Sequence, residues 1–75
     1  MAKSASKHLV VCVENDGYPA SLERRKIYVA LTDPAAERGG LMRVIDESGE
    51  GYLYPEHFFR EIALPEATKK AVLAA

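Results

Sequence analysis

The chain has no tryptophan, one cysteine, two histidines and no excess of either charge, and each shortage excludes something. A lone cysteine, Cys12, rules out an internal disulfide and, by itself, a thiolate metal site. It lies inside the apolar run Leu9–Val13 and reads as a small core residue rather than a reactive thiol. That run is too short for the hydrophobic region of a signal peptide or for a membrane span. The expected compartment is therefore the cytoplasm, with no membrane contact. A net charge of -1 argues against nucleic-acid binding driven by a basic face. His8 and His57 lack a clear carboxylate third ligand, so no metal or other cofactor is expected. No nucleophile with a base and no catalytic carboxylate pair stands out, and the chain reads as a non-enzyme.

What is present is an ordinary globular balance, 48% hydrophobic and 28% charged over 75 residues. A chain of this size buries only about 60% of the surface it exposes unfolded, so its stability should be small. Residues 1–7 are small and polar and are expected to form a disordered tail; residues 8–63 should form the domain body, and 64–75 a C-terminal helix.

Within the body, β-branched residues predict strands at His8–Val13 and Ile27–Leu31. The first is apolar on both faces, which calls for a cover, and the C-terminal segment is the candidate. Asn15-Asp16-Gly17-Tyr18-Pro19 is a cluster of turn formers at which the chain leaves the sheet. Ala20–Arg25 fits either a loop closing on Leu22 or one helical turn. Asp33 as cap, Pro34 at the first position and Gly39 or Gly40 as terminator predict a short helix near residues 34–39. Leu41–Asp46 and Gly51–Tyr54 read as a hairpin over Glu47-Ser48-Gly49-Glu50. The expected register sets Ile45 against Tyr52 and Val44 against Leu53, with Val44 and Leu53 inward; a bulge would exchange the faces. Pro55 ends that strand, Glu56 and His57 fit a 3₁₀ turn, and Phe58–Ile62 gives a last strand. Pro65 opens the helix through Ala74, which should dock by Ala67, Ala71, Val72 and Leu73.

Gly51-Tyr52-Leu53-Tyr54-Pro55 followed by Phe58-Phe59, with Ser21-Leu22-Glu23 before Lys26-Ile27, resembles the Src-homology-three domain over His8–Ile62. The resemblance implies a mainly β fold, a small five-stranded barrel to which the short helix and the C-terminal helix are added. The chain also resembles small bacterial proteins of no assigned activity that share the Asp46–Glu50 and Tyr52–Pro55 runs. The family lays polyproline helices across an aromatic groove. Here the first strand has no tyrosines, Leu41 stands where the family opens its third strand with tryptophan, and the diverging turn lacks its glycine. Only Pro55 and Phe58 carry over, so polyproline recognition is not expected.

The remaining candidate surface is aromatic and acidic. Tyr18 and Tyr52 are the expected exposed pair, since tyrosine joins a large apolar body to a polar tip. Glu14, Asp16 and Glu50 would give it an acidic rim that suits a basic protein partner. Asp46, Glu47 and Glu50 are too few and too close for a calcium loop and read as a solvated hairpin tip. Arg24, Arg25, Lys26 and Arg43 are the residues that a single-stranded nucleic acid would need. The expectation is thus a protein-interaction module, monomeric or weakly self-associating. The alternatives are a small nucleic-acid-binding barrel and a structural subunit docking by its C-terminal helix.

Overall fold

A computed structural model describes residues 6–74; the predicted tail lies outside the described residues up to residue 5. The elements are β1 (Lys7–Cys12), β2 (Ile27–Leu31), α1 (Pro34–Arg38), β3 (Leu41–Ile45), β4 (Gly51–Pro55), a 3₁₀ turn (Glu56–Phe58), β5 (Phe59–Glu61) and α2 (Glu66–Ala74). All strands pair antiparallel in one five-stranded sheet of order β4-β3-β2-β1-β5. The molecule is therefore mainly β, as expected, with both helices in place. The sheet as paired is open: β4 and β5 form its edges.

Alternation sorts the strands into two faces. Val10 and Cys12 of β1, Tyr28 and Ala30 of β2, Val44 of β3 and Tyr54 of β4 point into one core with Leu22, Phe58 and Phe59. On the opposite face Leu9 is also buried, and it lines a hollow with Ile62, Leu64 and Lys69. The segment after β5 thus provides the cover that an all-apolar β1 demanded. In α2, the partly buried positions are Lys69, Val72 and Leu73, while Ala67 and Ala71 are exposed. This corrects the expected docking face, because residues at i, i+3 and i+4 share one side of a helix.

The hairpin register also differs from expectation. Val44 pairs with Tyr52, Arg43 with Leu53 and Met42 with Tyr54. The shift is one residue, and because strand side chains alternate, it exchanges the faces of β4. Tyr54 is buried and Leu53 is 40% exposed, the reverse of the inward Leu53 predicted.

Local chemistry explains the rest. Asp33 Oδ1 accepts from Ala36 N–H at 3.2 Å to cap α1, and its Oδ2 accepts from Arg43 Nε at 2.8 Å, fastening the helix to β3. That ion pair and the capping bond hold the Asp33 carboxyl below its usual pKa. At the start of β2, Arg25 N–H donates to Cys12 O at 2.7 Å while Cys12 N–H donates to Lys26 O at 2.9 Å. Two residues therefore face one, a bulge whose first residue is left-handed. Arg25 occupies it at φ 72°, a position usually taken by glycine. Among the described residues no helix is long and apolar enough to cross a membrane.

Candidate functional site

The stretch 13–26 has neither helix nor strand, yet it is held at several points. Val13 N–H donates to Phe58 O at 2.7 Å, Leu22 N–H to Tyr18 O at 3.0 Å, and Asn15 Nδ2 to Leu22 O at 3.0 Å. Residues 20–25 contain no helix and the Leu22 side chain is fully buried, so the loop reading of Ala20–Arg25 is the correct one. This path brings the Tyr18 ring edge-on to Tyr54, 5.0 Å between centroids, and to Phe58 at 6.0 Å. Edge-to-face pairs of this kind contribute about 0.5–1.5 kcal/mol beyond their buried area.

The β3–β4 turn meets the loop from the other side. Glu47 N–H donates to Ser21 O at 3.1 Å. Asp46 Oδ1 accepts from Ser48 N–H at 2.8 Å and from Ser48 Oγ at 2.6 Å, a side-chain-closed turn. Its other oxygen accepts the Tyr54 hydroxyl at 2.5 Å. Burial pushes the Asp46 carboxyl upward, but the hydrogen bonds from Ser48 and Tyr54 outweigh it and leave the pKa below the usual value. Burial and the Asp46 hydrogen bond together push the Tyr54 phenol up to about 12. Beside this pair, Glu47 accepts from Lys26 Nζ at 2.5 Å and from the Tyr28 hydroxyl at 2.6 Å, and Tyr28 accepts from Glu23 N–H at 2.7 Å. The Lys26 and Tyr28 bonds hold the Glu47 carboxyl below its usual value, and burial foremost raises the Tyr28 phenol.

Between loop and hairpin lies an open hollow of about 350 Å³ lined by Tyr18, Ser21, Asp46, Ser48, Tyr52, Leu53 and Tyr54. That is near the low end for ligand pockets and it is unroofed, so it suits a side chain of a docked polypeptide better than an enclosed small molecule. Tyr18 and Tyr52 are 41% and 51% exposed, so the expected pair does meet on one surface. The Tyr52 hydroxyl reaches Glu50 Oε1 at 3.5 Å, and Asp16 is exposed on the loop that carries Tyr18. Glu14 is half-buried, its N–H donating to Phe58 O at 3.3 Å. Pro55 is half-buried opposite Leu41. Phe58 is only 4% exposed and belongs to the core, which corrects its place among the contact residues.

Asp46, expected in a solvated tip, is instead 7% exposed and anchors the hollow's floor. The signal lay in Asp46-Glu47-Ser48-Gly49, a side-chain-closed turn in outline, with a tyrosine eight residues on as the missing donor. Cys12 is buried as expected, its Sγ donating to Glu14 O at 3.1 Å, and burial raises its pKa. The basic residues do not converge: Lys26 pairs with Glu47 and Arg43 with Asp33, leaving Arg24 and Arg25 beside Val11 and Val13. His8 Nδ1 meets Glu61 Oε2 at 2.6 Å, and His57 is exposed with its ring against Phe58. Among the described residues no group of three histidine, cysteine or acidic side chains is placed to hold a metal ion. Comparison with known proteins finds no matching family model, curated protein or solved structure.

Proposed function

We propose that this chain is a non-enzymatic cytoplasmic module that binds other proteins, built as a Src-homology-three-like small barrel. The strand order β4-β3-β2-β1-β5, the long irregular loop after β1 and the 3₁₀ turn before β5 support that architecture. The contact surface is the hollow between that loop and the β3–β4 turn. One observation carries the reading. Tyr18 and Tyr52, far apart in sequence and both well exposed, line one hollow whose floor is made rigid by the Tyr54–Asp46 bond. A preorganised floor under exposed tyrosines lowers the cost of docking, since little has to be ordered on binding.

Glu50 beside Tyr52 and Asp16 on the Tyr18 loop favour a basic partner. Nucleic acid is the weaker reading because Lys26 and Arg43 are already paired. Polyproline ligands fall outside it, since Phe58 is in the core. The test is capture from the native organism with the wild-type chain and with Tyr52→Ala, followed by titration of the purified partner. Tyr52→Ala is expected to lose the partner with its unfolding midpoint unchanged. Equal affinity of both chains for that partner would end the proposal.

A further inference from the structure

β4 is an edge strand, and the direction of its free backbone groups follows from its register. Asp46 N–H donates to Glu50 O at 3.1 Å and Glu56 N–H to Gly40 O at 2.9 Å, so the bonded pairs of this ladder fall on even residues. Antiparallel ladders alternate, and Tyr52 and Tyr54 therefore turn their amides to β3. Gly51, Leu53 and Pro55 turn theirs outward. Among the described residues neither Gly51 nor Leu53 has another backbone or side-chain partner for those groups, and both residues are exposed. Two N–H donors and three carbonyls thus stand in a row along the outer edge of β4, whose Leu53 also lines the hollow. Natural edges are usually blunted by lysine, by inward charge or by a bulge; here the one blunting residue within β4 is Pro55, at its end.

Resting on the binding role proposed above, we infer that the β4 edge takes up an extended basic peptide as an added antiparallel strand. Strand addition satisfies the outward groups of Gly51 and Leu53 and lays alternate side chains of the peptide against Tyr52 and the hollow. Charge selects the occupant. Glu50, just before β4, and Glu56, just after it, are both exposed and flank the edge six positions apart, and lysines six apart in the peptide would meet both. A second copy of this chain fits less well. Pairing β4 with itself through bonded odd residues, centred on Tyr52 or on Leu53, carries Glu56 towards the acidic tip of the other copy, against Ser48 or Glu50. A five-residue strand also offers far less than the ~1,000 Å² total that a stable interface needs.

The experiment is a ¹⁵N-NMR titration of the full chain with the capped peptide Lys-Thr-Val-Thr-Val-Thr-Lys, with amide exchange followed at Gly51 and Leu53. Two control peptides replace both lysines by glutamate, or carry N-methyl groups on the fourth and sixth amides, which face the edge. Slowed exchange at Gly51 and Leu53, with at least tenfold weaker binding of each control, is the expected result. Binding that ignores N-methylation, with shifts confined to Tyr18 and Tyr52, would overturn strand addition while sparing the hollow. Edge protection unaffected by Tyr52→Ala would do the opposite, supporting the edge and sinking the hollow. Absence of binding overturns the inference, as does concentration-dependent protection of Leu53 without peptide, which would assign the edge to a second copy.

Discussion

The stretch 13–26 and helix α2 make an instructive pair: the first has no regular structure and is firmly anchored, the second is regular and buries no residue fully. In the loop, Leu22 sits wholly inside the core and the neighbouring backbone N–H groups of Tyr18, Ser21 and Arg25 all have partners. In α2 the backbone bonds are internal, so the helix satisfies itself without needing the sheet. A nine-residue helix is marginal alone in water, and the partial burial of Lys69, Val72 and Leu73 is what remains to hold it. Anchoring here comes from burial and paired polar groups rather than from regularity.

The sharpest way to break that contrast is Leu22→Ala. Emptying a fully buried leucine site should cost about 3 kcal/mol, most of what so small a domain holds. Urea denaturation checks it, and a loss as small as that of an exposed substitution would mean the loop is not anchored. Next comes Asp46→Ala, which strands the buried Tyr54 hydroxyl and should cost about 2 kcal/mol, against about 1 kcal/mol for Tyr54→Phe. A double-mutant cycle on the two would isolate their coupling.

The same network sets the pH dependence. Asp33, Asp46 and Glu47 have folded pKa values below their usual ones, so their stabilisation is present above the unfolded carboxylate range and is lost as pH falls through the folded values. Tyr54 works in the other sense. Its stabilisation is present below the unfolded value of 10.0 and is lost as pH rises from there towards about 12. Thermal melts across pH should show both limbs, the alkaline one reduced in Tyr54→Phe.

Arg25→Gly sharpens the comparison from the stabilising side. Relief of a left-handed arginine, less the entropy that glycine loses on folding, should raise stability by about 0.5–1 kcal/mol in the same urea assay. The smallest effect belongs to α2. Removing residues 66–75 should lower stability by less than about 1 kcal/mol, and light scattering should show no change in mass. A large loss would mean that the cover over Leu9 depends on the helix, and a change in mass would make α2 an assembly element.

Much of this fold was legible residue by residue. Asp33-Pro34 started α1, Gly39-Gly40 stopped it, and Pro55 handed β4 to the 3₁₀ turn, each through chemistry confined to a few neighbours. The left-handed backbone of Arg25 was not legible, because nothing in its immediate neighbours marks a position that favours glycine. The site is half legible: the sequence marks Tyr18 and Tyr52 as exposed aromatics, but it misleads on the environments of Asp46 and Leu53. Both errors share one origin. The facing of β4 turns on a single residue of register, which no local pattern in Tyr52-Leu53-Tyr54 distinguishes.

The amino-acid sequence by itself determined which elements form, in what order, and their ends to within one or two residues, because caps, prolines and turn residues act over one or two neighbours. Only the tertiary structure decided that Tyr54 points inward onto Asp46 and leaves the outer edge of β4 open. Those choices depend on cross-strand pairing and on the 13–26 loop closing over the hairpin, contacts between residues far apart in the chain.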